Sequence, residues 1–153
     1  MSNNNKDDFG YLGLDFQVRL IAQILTDRKY ANNVMDILDA NYFEDEFMRK
    51  IAITIKSAYE KHEVVPDMSS LEMRLMDTAK DDIQRDFLIS QLRRIKDADL
   101  NETEWIQERA LKFCKQQELK KSVKEIQKII DKGDIDDYDQ CEEILKRALE
   151  TGD

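Results

Sequence analysis

Few residues of this chain have the type and spacing that chemistry requires. The one histidine, His62, is followed by Glu63 but by no second histidine. The pair of histidines one helical turn apart that holds zinc in a His-Glu-x-x-His motif is therefore missing. A lone histidine at a helix end reads as a surface or capping residue. Cys114 and Cys141 are the two cysteines. They have no metal-ligand spacing and no neighbouring base to activate a thiolate, so both read as small core residues. Two thiols in a chain of this size fit a reducing compartment. The 33 acidic residues include no Glu-x-x-His pair of the kind that builds di-metal sites in helical bundles. There is no Gly-x-x-x-x-Gly-Lys-Ser/Thr loop, and no glycine at all between Leu14 and Lys132. A phosphate-cradling loop cannot form there. The expectation is a chain with no catalytic residue, no metal ligand and no cofactor, hence no enzyme by itself.

Charge is the second pattern. The net charge of −9 argues against a protein whose main task is to coat nucleic acid. The charge is unevenly spread. Residues 1–101 carry 14 basic and 19 acidic side chains, residues 102–132 carry 8 and 6, and residues 133–153 carry 2 and 8. Within the one basic segment Lys120, Lys124, Lys128 and Lys132 recur every four residues, which places them on one face of a helix. Two readings stand side by side. The lysines pair with Asp136, Asp139, Glu142 or Glu143 of the following segment, or they form a track for nucleic acid or an acidic partner. The absence of aromatic residues among them to stack bases favours the first.

The elements that must carry these residues are helical. The four glycines lie at 10, 13, 133 and 152, Pro66 is the only proline, and helix-forming Leu, Ala, Glu, Lys, Gln and Met dominate. At 153 residues the chain suits one structural domain of all-α class. The polar N-terminus carries no signal-peptide core, and no apolar run nears the ~20 residues that span a bilayer. A cytoplasmic protein without membrane contact is expected.

Residues 1–13 read as a flexible arm, with Phe9, Tyr11 and Leu12 as anchors. Residues 14–100 form a helical head. Its first helix runs over Asp15–Asp27, with Leu14, Val18, Ile21 and Leu25 inward, and a short second helix covers 31–39. A third over 45–61 buries Phe47, Ile51, Ile55 and Ala58 and stops before Pro66. Ser69-Ser70-Leu71-Glu72 reads as a capping box opening a short fourth helix. A fifth over 81–96 places Ile83, Phe87, Leu88, Leu92 and Ile95 inward. From Asn101, a candidate N-cap, about 30 residues run without a breaker to Lys132, roughly 45 Å of helix. Gly133 then ends the helix, and a last helix over 137–150 follows.

The long helix and the last one make an αα-hairpin over residues 101–150. Leu119, Val123, Ile126 and Ile130 of the long helix and Ile144, Leu145 and Leu149 of the last are the residues expected to pair subunits. Two helices alone leave such stripes wet, so the hairpin needs a cover, and pairing with a second copy is the favoured one.

The order of these features resembles the N-terminal domain of the DnaB-family hexameric replicative DNA helicases, in particular those of T-even-like phages. Leu20-Ile-Ala-Gln-Ile-Leu-Thr-Asp27 is similar to the opening helix of that family. Val34-Met-Asp-Ile-Leu-Asp-Ala-Asn-Tyr-Phe43 resembles its next segment, with the aromatic–Phe turn at the end. Phe47-Met-Arg-Lys-Ile-Ala-Ile-Thr-Ile-Lys56 resembles the helix after it. Val64-Val-Pro-Asp-Met-Ser-Ser-Leu71 and Trp105-Ile-Gln-Glu-Arg-Ala-Leu-Lys-Phe113 resemble the starts of later helices. The likeness spans residues 14–150 and rests on order and spacing. It implies a helical head and a hairpin through which N-terminal domains pair, as dimers or as a trimer of dimers forming a collar. It also implies a primase or helicase loader as partner, and DNA contact only through the full-length helicase. The phosphate loop of that family's motor domain is missing from these residues. The expected function is thus a non-catalytic oligomerisation and partner-binding domain of a replicative helicase. The alternative is a free-standing loader or adaptor that binds single-stranded DNA through the lysine row.

Overall fold

The computed structural model describes residues 8–150, except for the side chain of Tyr11. Among them are seven α-helices and no strand: α1 (Gly13–Thr26), α2 (Arg28–Val34), α3 (Glu46–His62), α4 (Met68–Met76), α5 (Asp82–Lys96), α6 (Thr103–Lys132) and α7 (Asp139–Leu149). The fold is all-α. It divides into two compact units, Met1–Gln107 and Glu108–Asp153. The division falls inside α6, whereas the sequence places it before that helix. No described helix is long and apolar enough to cross a membrane.

Of the expected arm, residues 1–7 and the Tyr11 side chain lie outside the described residues. The remainder is built into the first unit. Phe9 is fully buried and its ring meets those of Phe16, Tyr42 and Phe43 at 5.2–6.1 Å between centroids. The Asp8 carboxylate accepts from the Gly10 amide at 2.8 Å, which winds residues Phe9–Leu12 into a 3-10 turn. Gly13 then turns the chain into α1 at φ +87, a backbone that a Cβ would strain.

α1 packs against α2, α3 and α5 and so has no single inward stripe. Val18 and Ile21 are buried as the spacing predicts. Phe16, Leu20, Ala22 and Ile24 are buried as well, while Leu14 and Leu25 are only half-buried. Four successive helices begin on an aspartate whose carboxylate accepts from the first turn. These are Asp27 for α2, Asp45 for α3, Asp67 for α4 and Asp81 for α5. Each satisfies amides that have no partner within the helix and sets a negative charge at the positive end of the dipole. The expected capping box at Ser69 is therefore corrected. Asp67, in extended conformation, accepts from Ser70 N at 2.8 Å and starts α4 earlier.

α5 requires a second correction. Leu88, Leu92 and Ile95 are buried, but Ile83 is 68% exposed and Phe87 50% exposed. The helix lies at the edge of the unit, and α1, α3 and α4 reach only one side of it. Phe87 instead stacks on Phe47, centroids 5.3 Å apart and planes 19° apart.

The segment before α6 is held by Arg19. Its guanidinium donates to the carbonyl of Asp99 at 2.9 Å and to that of Asn101, and it pairs with Asp15 at 3.6 Å. Asn101 is not the N-cap that the sequence suggests. Its amide donates to Asp99 Oδ1, and Glu102 turns the chain through φ +57 into a helix that starts at Thr103.

α6 then runs to Lys132, and Gly133 ends it at φ +78, its amide bonded to the carbonyls of Ile129 and Ile130. A 3-10 turn over Ile135–Asp137, capped by the Asp134 carboxylate, precedes α7. That turn absorbs the residues expected to begin the last helix, so α7 starts at Asp139.

Candidate functional site

The surface of interest lies in the second unit and follows from helix geometry. Successive residues are about 100° apart around a helix. Ala110, Phe113, Cys114 and Gln117 are buried and share one side of α6. Leu119, Val123, Ile126 and Ile130 fall on nearly the opposite side. The apolar stripe of this helix changes face near residue 118, so one continuous rod presents two differently directed surfaces.

α7 runs back along the second half of α6. Ser122 and Glu125 share a groove with Ile144 and Ala148, and nearer the tip Ile129 and Lys128 share one of about 700 Å³ with Asp139 and Glu143. Ala148 and Ser122 are buried, and Ile129, Ile144 and Cys141 are half-buried. This is the inner seam of the hairpin.

The remaining apolar residues stay outside the seam. Val123 is 58% exposed, Ile130 51%, Leu145 40% and Leu149 52%. Leu119 and Ile126 are half-buried beside them. Of the seven residues assigned to pairing by sequence, six form this outer face, and Ile144 belongs to the seam. Tyr138 is exposed on the same side of α7 as Leu145 and Leu149, and Ile135 is exposed at the turn. Ile129 is a seam residue the sequence reading passed over; its only signal is adjacency to Ile130.

Lys120, Lys124, Lys128 and Lys132 are all exposed on the side of α6 away from the Val123–Ile130 row. Among the described residues Lys124, Lys128 and Lys132 form no ion pair, and the pairing with α7 carboxylates that the sequence favours is not made by them. The reason is directional. The seam with α7 is marked by Ser122 and Ile129, and the lysine row points well to one side of it. Only Lys128 reaches the groove rim near Asp139 and Glu143.

The residues of chemical type are scattered. His62 is exposed at the end of α3, Cys114 is buried in α6 and Cys141 is half-buried in α7. No group of three or more His, Cys, Asp and Glu side chains that could hold a metal occurs among the described residues. Compared with known proteins, the chain matches no family model and no curated protein.

Proposed function

We propose that this chain is a non-catalytic module that pairs with a second copy of itself through the outer face of the α6–α7 hairpin. The observation that carries the reading is the exposed row Val123, Ile130, Leu145 and Leu149 on two helices that a short turn locks antiparallel. Four large apolar side chains in one band are more than scattered surface hydrophobes, and bands of this kind mark interaction sites. A second copy is the fitting cover. Two such faces are both apolar, and a two-fold axis lets each stripe serve as the other's partner.

In its full form the reading is that of a collar domain of a DnaB-like replicative helicase in a primosome, assembled as dimers or a trimer of dimers in the host cytoplasm. Its support is the ordered resemblance along residues 14–150 together with a hairpin where such a domain needs one. The first unit then offers its surface to a primase or helicase loader. ATP hydrolysis and unwinding belong to a motor domain outside these residues.

Light scattering tests the pairing. The chain gives the mass of a dimer or higher multiple at high micromolar concentration, and Val123→Asp or Ile130→Asp reduces it to the monomer. Both side chains are more than half exposed, so neither change disturbs the fold. A wild-type chain that is strictly monomeric at that concentration overturns the reading.

A further inference from the structure

We propose that Lys124, Lys128 and Lys132 form a site for the phosphate backbone of single-stranded nucleic acid, separate from the pairing face. Three ammonium groups stand on one rigid helix, exposed, without an ion pair among the described residues. Neighbours in the row are about 6 Å apart along the axis, four residues at 1.5 Å each. That interval is comparable to the separation of adjacent phosphates along an extended strand. An unpaired lysine row is a point-charge track of this kind, since each ammonium neutralises a phosphate and releases its counterion. A single strand can follow the inclined row, and with no aromatic side chain in it the contact is to backbone and indifferent to base sequence.

Carboxylates limit the affinity without closing the row. Asp131 lies on the same side but is held by Gln127, whose Nε2 donates to it at 2.8 Å. Asp139 and Glu143 stand across the groove from Lys128. The chain as a whole carries −9. Binding is therefore weak and sensitive to salt. The row and the Val123–Ile130 stripe lie on different sides of α6, so a strand and a second copy do not compete.

Fluorescence anisotropy of the full chain with labelled oligo-dT of 20 nucleotides tests the site, with a 20-base-pair duplex and labelled polyglutamate as further arms. For three neutralised phosphates, log affinity falls against log salt with a slope of roughly −2. Lys124→Glu/Lys128→Glu/Lys132→Glu lowers affinity at least tenfold, the corresponding arginine variant retains it, and both keep the wild-type mass by light scattering. Absence of oligo-dT binding at low salt overturns the proposal, as does equal binding by the glutamate variant. Polyglutamate bound as tightly as oligo-dT reassigns the row to an acidic protein segment, and tighter duplex binding overturns the single-strand assignment. Failure of the pairing reading shows as a change in mass, not in anisotropy.

Discussion

Gln107 donates its side-chain amide to Asp27 across 80 residues of chain, Nε2 to Oδ2 at 3.2 Å. The other oxygen of the same carboxylate accepts from Tyr30 N at 3.0 Å and caps α2. One aspartate thus closes a short helix and fixes the root of the longest one.

That double role makes a quantitative prediction. Asp27→Ala removes cap and cross-link together and costs about 1–3 kcal/mol, while Gln107→Ala removes only the cross-link and costs about 0.5–1.5 kcal/mol. Urea denaturation of both variants and the double variant gives a coupling of about 0.5–1 kcal/mol. Strict additivity contradicts the shared role.

Gln23 is buried in α1, and neither its Nε2 nor its Oε1 has a hydrogen-bond partner among the described residues. A carboxamide stripped of water without compensation is costly. Gln23→Met conserves volume and removes the polar group, so it raises the denaturation midpoint, by about 1 kcal/mol in stability. A loss of stability shows that the carboxamide is satisfied after all.

Two helix ends use the left-handed region differently. Glu63 occupies it at φ +59 after α3, and Gly133 at φ +78 after α6. Glu63→Gly removes backbone strain and is expected to stabilise by a few tenths to about 1 kcal/mol. Gly133→Ala meets no atom within 4 Å, so its cost, about 1 kcal/mol, is conformational alone. Thermal melts of the two variants shift in opposite directions.

Along α5 Leu88, Leu92 and Ile95 are buried while Ile83 and Phe87 are exposed. Leu88→Ala leaves a cavity and costs about 2–5 kcal/mol. Ile83→Ala, at a largely exposed position, stays within about 0.5 kcal/mol of wild type. A large cost at Ile83 contradicts the register of this helix.

These contrasts show what the sequence carries. Helix class and the hairpin tip at Gly133 are local, set by 3.6-residue spacing and by the left-handed conformation that glycine tolerates. The stops before Pro66 and the apolar rows of α6 are likewise legible. What was missed depends on neighbours. Ile83 and Phe87 match the spacing of Leu88 and Leu92, and only the edge position of α5 leaves them uncovered. Ser69 and Asp67 are both good caps, and residue type alone does not rank them, so the start of α4 at Asp67 was not legible. α1 buries nearly every side because three helices surround it. At the candidate site the outer stripe is readable from Leu119, Val123, Ile126 and Ile130. Ile144 enters the seam because it shares the side of α7 that carries Ala148, about 100° round the helix from Leu145.

The most direct test of pairing through the hairpin is amide hydrogen exchange read by mass spectrometry on the full chain, at about 1 µM and at about 200 µM. The account predicts that the concentrated sample exchanges more slowly in peptides covering residues 119–130 and 144–149, with the peptides of α1–α5 unchanged. Exchange that is independent of concentration in both hairpin peptides, or protection that arises in α3 and α5 instead, contradicts it.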